Sequence, residues 1–178
     1  MEQNQIKIPK KVSNFLEKTE TKHGLMTHRT VYTAHDKAAT LKVKAGAVAK
    51  VLAVKTDGEL ALAVIDGNRN LDVNKLLKLA KAKKIDFTKE KIIGQTFKGI
   101  DPGAIPPFAG LWNMKVFCDK KLLESPKIIL SAGSYEASIK ISPAAFKKVN
   151  LNMTIGFFSE AKPKLNKTVK PALKKRKK

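Results

Sequence analysis

The chain has 178 residues, 36 of them Lys or Arg against 15 Asp or Glu, for a formal net charge of +21, and 43% are apolar. Such a length and apolar share suit one domain with a core of its own and exclude disorder throughout. A single cysteine, Cys118, excludes an internal disulfide framework and a cysteine-based zinc site, and no apolar run approaches the roughly 20 residues that span a bilayer.

In chain order, Met1–Lys11 is polar and lacks the apolar stretch of a secretory signal, which points to a cytoplasmic protein with no membrane partner. Pro9 opens a stretch with Val12, Phe15, Leu16 and Thr19 at helical spacing, closed by Gly24, so residues 1–24 read as an N-terminal helical segment. A strand is predicted over 26–33 and a helix over 38–43. Ala49–Val54 and Leu60–Ile65 are two β-leaning runs around Asp57-Gly58, a pair that tolerates positive φ at both central positions of a hairpin turn. Asp72 then stands as N-cap before Val73, Leu76, Leu77 and Ala80, an i, i+3, i+4, i+7 stripe that buries one helix face.

A short helix is predicted over 89–95. The segment Gly99–Gly110 reads as irregular, because it holds three Pro and three Gly. Strands are expected over 115–118, 128–131, 138–141 and 154–158, with Ser142-Pro143 starting a helix that buries Phe146 and Val149 on one face. Strands and helices alternate with short links and no repeat, the pattern of one mixed α/β domain, here 25–160. From Ala161 to Lys178 there are nine basic residues and no acid, a composition that predicts a disordered basic arm. Such an arm suits a polyanion bound in a salt-sensitive, sequence-blind manner.

The familiar catalytic signatures are missing: there is no P-loop, dinucleotide fingerprint, nucleophile elbow or zinc-protease helix. His23, His28 and His35 have no Cys or acid at a ligand-like spacing and read as surface or turn residues, so no metal and no cofactor is expected. Cys118 sits in an apolar strand and reads as a small packed side chain. Two features are left. Lys50, within Ala47-Val48-Ala49-Lys50-Val51-Leu52-Ala53-Val54, shares a strand face with Leu52 and Val54. It is either a lysine that snorkels from the strand entrance or a functional cation. The Gly99–Phe108 loop combines prolines that stiffen the backbone with glycines that admit a ligand; it is either a plain connection or a wall of main-chain donors.

Taken together, these blocks resemble the YbaK family of free-standing aminoacyl-tRNA deacylases, related to the editing domain inserted in bacterial prolyl-tRNA synthetases. The likeness runs from about Leu25 to Phe158. It rests on Val48-Ala49-Lys50-Val51-Leu52, on Gly103-Ala104-Ile105-Pro106-Pro107 as a GxxxP motif followed by Phe108, and on the turn Ser131-Ala132-Gly133-Ser134 with the strand after it. The turn departs from the family's frequent Gly-Gly-basic pattern.

The resemblance implies a single domain with a mixed twisted sheet or partly closed barrel surrounded by helices. It also implies hydrolysis of the ester that joins a wrong amino acid to a tRNA, with a small residue on proline tRNA as the first candidate. Under it, Lys50, Gly103 and Gly133 are the catalytic candidates. Ala104, Ile105, Pro106, Pro107, Phe108, Ala132 and Ser134 bind substrate, with Ala104 and Ala132 at the aminoacyl pocket. Lys174, Lys175, Arg176, Lys177 and Lys178 grip tRNA. The implied partners are mischarged tRNA and an aminoacyl-tRNA synthetase; the alternative is a non-catalytic tRNA- or synthetase-binding module of the same fold.

Overall fold

The computed structural model describes residues 8–163. Its centre is the hairpin of β2 (Ala49–Thr56) and β3 (Glu59–Asp66), closed by Asp57 at φ 50° and Gly58 at φ 92°, the two left-handed positions of a tight hairpin turn. β3 is apolar on both faces and is covered on both. Leu62 and Val64 enter one core with Val116, Cys118, Leu130 and Ile139, while Ala61, Ala63 and Ile65 enter a second with Phe117 and Phe158. Such a strand belongs in the middle of a sheet, and the order found is β5-β2-β3-β6-β9. Here β5 is Ile85–Phe87, β6 Lys115–Asp119 and β9 Thr154–Gly156. β2 runs antiparallel to β3 and β5, whereas β3, β6 and β9 run parallel.

A second, antiparallel sheet has the order β1-β8-β7 (His23–Thr27, Ala137–Ile141, Ile128–Ser131). β4 (Arg69–Leu71) and β10 (Ser159–Ala161) make a separate antiparallel pair. The two larger sheets share the first core, and the backbone bridge between them among the described residues is a parallel one, Val48 to Ile129. Among the described residues the ladders therefore do not close, and of the two expected forms the mixed sheet, not a barrel, is the one adopted.

Helices cover the remaining apolar surface. α1 (Lys10–Lys18) inserts Val12 and Leu16 into the first core, so the N-terminal helix shares the domain's interior. α3 (Val73–Ala80) buries Leu76 in the second core, its Asp72 side chain accepting from the Lys75 amide at 3.0 Å. α6 (Pro143–Val149) buries Phe146 behind a Ser142 cap. α4 (Glu90–Thr96) and α5 (Ala109–Trp112) flank the irregular loop. Among the described residues no helix is long and apolar enough to cross a membrane.

Three boundaries differ from expectation for local reasons. The first strand starts earlier and stops at Thr27, where its partner β8 ends at Ala137. Helix α2 (Ala34–Leu41) also starts earlier, because Thr33 caps it by accepting from the Asp36 amide at 3.0 Å. The run 154–158 breaks in two: the Phe158 amide donates to the buried Asp119 carboxylate at 2.7 Å, and the chain then pairs with β4 as far as Ala161. The domain thus continues past the expected start of the basic arm, whose residues 164–178 lie outside the described region.

Candidate functional site

Among the described residues β5 pairs with β2 over Val54–Thr56 and leaves the earlier residues of β2 to border a cavity. There a cleft of about 480 Å³ lies between β2, α2 and the loops that carry Gly103 and Ser134. Its wall includes Lys50, Gly103, Ala104 and Ser134, four of the candidates from the sequence, and also Lys37, Lys162, His35 and Tyr135. A larger cleft of about 620 Å³, between Thr19–Lys22 and the end of α6, contains none of the predicted site residues.

Lys50 sits opposite Ile65, on the face shared with Leu52 and Val54. Its side chain is half-buried and its Nζ lies 3.4 Å from the Arg69 carbonyl. Burial, and then the like charge of Lys162, hold the ammonium below the ordinary lysine range, with Asp66 acting the other way. Asp66 is itself buried, and desolvation raises its carboxyl although the Asn68 amide donates to it at 2.9 Å. Lys162 closes this end of the cleft, donating to the Gly67 carbonyl at 2.9 Å and lying 3.0 Å from His35 Nε2.

Asp101 fastens the loop and the turn to each other. Its amide donates to the Gly133 carbonyl at 3.0 Å, its carbonyl accepts from Ala104 at 2.9 Å, and its carboxylate accepts from the Tyr135 amide at 2.9 Å. The Gly133 amide donates to the Ala104 carbonyl at 3.0 Å. Two of the supposed main-chain donors, Ala104 and Gly133, are therefore already used, Phe108 donates to Pro106, and proline has no N–H to offer. On the cleft wall the amides of Gly103 and Ser134 have no partner among the described residues. Of the expected donors, Gly103 is the one left on the cleft wall among the described residues, and the Ser134 amide joins it from the neighbouring turn.

The two glycines serve different ends. Gly103, at φ 82°, has nothing within 4 Å of where a Cβ would stand, so only its backbone conformation calls for glycine. Gly133, at φ 93°, would put a Cβ 2.9 Å from Ile100 and Pro9 side-chain atoms, so it is also packed too tightly for a side chain.

The other predicted residues turn away from the cleft. Ile105, Phe108 and Ala132 are in the first core. Pro106 and Pro107 are buried, their carbonyls accepting from Trp112 Nε1 at 2.8 Å and Asn150 Nδ2 at 3.2 Å. One side of the GxxxP segment is thus scaffold, and Gly103 and Ala104 are its residues that line the cleft. Lys174–Lys178 lie outside the described residues. Cys118 is buried, with its thiol pushed up to about 12, first by burial, as befits a packing residue.

Sequence reasoning read His35 as a surface or turn residue, counted Lys162 in the basic arm, and passed over Lys37 and the tyrosines at the rim. Tyr32 is 74% exposed and meets Tyr135 edge-on with ring centroids 4.8 Å apart. Lys37 had a visible signal. It shares a helix face with Ala34 and Leu41, three residues before and four after, and both pack on an apolar cluster. A lysine in that stripe is buried, here to 6% exposure, with its Nζ donating to Ser131 Oγ at 2.9 Å.

A family model described as an aminoacyl-tRNA editing domain matches residues 28–149, more than half of the chain. A proline–tRNA ligase of Desulforamulus reducens is 29% identical over 112 residues, which are 62% of this chain but only 19% of that enzyme. Among solved structures, the hypothetical protein APE2540 superposes with a TM-score of 0.76 at 22% identity, covering 85% of this chain and 100% of that one. A candidate trans-editing enzyme for prolyl tRNA synthetase superposes at 0.75 and 18% identity, covering 85% and 96%. At those identities the two structures speak for the fold.

Proposed function

Because the chain belongs to the aminoacyl-tRNA editing domain family, we propose that it hydrolyses the ester of a mischarged tRNA, acting in trans on a small amino acid carried by proline tRNA. The observation that carries this reading is the meeting of Lys50 with the Gly103–Ala104 turn on one cleft.

An aminoacyl ester is already reactive, so a site that positions water and stabilises the developing oxyanion supplies what the reaction needs. Water adds to the ester carbonyl carbon, and the negative charge that grows on the carbonyl oxygen is met by the Lys50 ammonium and the amides of Gly103 and Ser134. The bond to the ribose oxygen then breaks. The neighbouring ribose hydroxyl relays the proton from the water to the leaving oxygen. Ala104 bounds the space for the amino-acid side chain, where each methylene is worth about 1–3 kcal/mol of discrimination. Tyr32 offers an exposed ring for the terminal base to stack on. Lys174, Lys175, Arg176, Lys177 and Lys178 meet the phosphates of the tRNA body, an attraction that weakens as salt rises.

The test is a deacylation screen over a panel of mischarged tRNAs, beginning with alanyl and cysteinyl proline tRNA, with the Lys50→Ala protein as control. Turnover should fall by about 10²–10³-fold on loss of a charge-stabilising donor, with the melting temperature nearly unchanged. Comparable turnover by the variant removes Lys50 from the mechanism. Tight tRNA binding without turnover of any substrate makes the domain a binding module.

A further inference from the structure

Lys37 has no part in the hydrolysis just described. Its side chain is 6% exposed, and its one hydrogen-bond partner among the described residues is a neutral hydroxyl, Ser131 Oγ, at 2.9 Å. None of the ion pairs found among the described residues includes it. An ammonium carries three donors, so two are left on a group that lines the cleft. An apolar side chain of that length would pack beside Ala34 and Leu41 without the penalty of desolvating an ion. Packing therefore gives no reason for a charge here, and an anion entering the cleft does.

The lysines of the cleft wall stand in two settings. Lys162 and Asp66 both act on Lys50, whereas for Lys37 burial alone lowers the ammonium.

We propose that Lys37 is a second ligand-binding cation of the cleft, taking an anionic oxygen of the substrate, a phosphate or a carboxylate, while Ser131 Oγ holds the ammonium in place. This rests on the reading of the cleft as the aminoacyl-ester site. The phosphate would be that of the terminal nucleotide, and the carboxylate that of an acidic aminoacyl side chain.

The test is calorimetric titration of the full chain and of its Lys37→Met variant with two matched pairs of probes. One pair is adenosine 5′-monophosphate against adenosine. The other is the aspartyl against the alanyl amide of 3′-amino-3′-deoxyadenosine. The unaltered protein should prefer the anionic member of one pair by about tenfold or more, the usual worth of a charged hydrogen bond. That preference should vanish in Lys37→Met, whose melting temperature should not fall. Loss of the monophosphate preference identifies the phosphate as the partner, and loss of the aspartyl preference the carboxylate. Equal preferences in both proteins, no preference in the unaltered one, or a drop in the variant's melting temperature overturns the proposal. Deacylation is scored separately. Turnover with a preference indifferent to Lys37 removes this site alone, whereas a preference that depends on Lys37 without turnover removes the hydrolysis and leaves the anion site.

Discussion

Replacing Lys37 by Met should make the protein more stable at neutral pH, and the size of the gain follows from the burial of the ammonium. In the folded state the group is lowered from 10.5 to about 8 by desolvation, a gap that corresponds to about 3 kcal/mol. The lowered value sets the sign. Below pH 8 the lysine is charged in both states, and the folded state bears the full penalty. Between about 8 and 10.5 the folded state gives up its proton first and the penalty shrinks, and above the unfolded value it is gone. Met removes the charge at every pH but leaves the Ser131 hydroxyl without its partner, which costs about 1 kcal/mol. The net gain at pH 7 is about 2 kcal/mol, or a melting temperature higher by roughly 4–8 °C for a chain of this size. Scanning calorimetry of both proteins at pH 7 and pH 10.5 reads the difference directly. The other ionisable groups on the cleft wall, His35, Lys50, Lys162, Tyr32 and Tyr135, are common to both proteins and cancel. A variant that melts lower at pH 7, or a difference that does not close with rising pH, refutes the account of Lys37 as an uncompensated buried ion.

Substituting Lys162 by Met removes a like charge from Lys50, so the Lys50 ammonium should hold its proton to higher pH. The alkaline limb of the kcat/KM profile should move upward, and an unmoved limb would separate the two lysines. Gly103→Ala should cost about 1–2 kcal/mol, the penalty of a Cβ in left-handed backbone. Gly133→Ala adds overpacking against Ile100 and Pro9 for a further loss of about 1–3 kcal/mol. Equal denaturation midpoints for the two glycine variants would show that the contacts around Gly133 yield freely.

What could be read from the chain alone is what nearest neighbours dictate. The Asp57-Gly58 turn, the Asp72 and Ser142 caps and the β-leaning apolar runs fix the hairpin, α3 and α6 within a residue or two, because turns and caps are bonds between residues a few positions apart. Lys50 stood out for the same reason, as a charge in an apolar strand. β4 and β5, of three residues each, are too short to carry a periodic signal and exist because partners from elsewhere pair with them. The folded arrangement alone decided which side of the GxxxP segment meets the cleft, that the Gly133 amide is taken by Ala104, and that Lys162 joins Lys37 and Lys50 across more than a hundred residues of chain. Those outcomes depend on which distant groups compete for the same donor or the same enclosed space, and linear spacing holds no record of that competition.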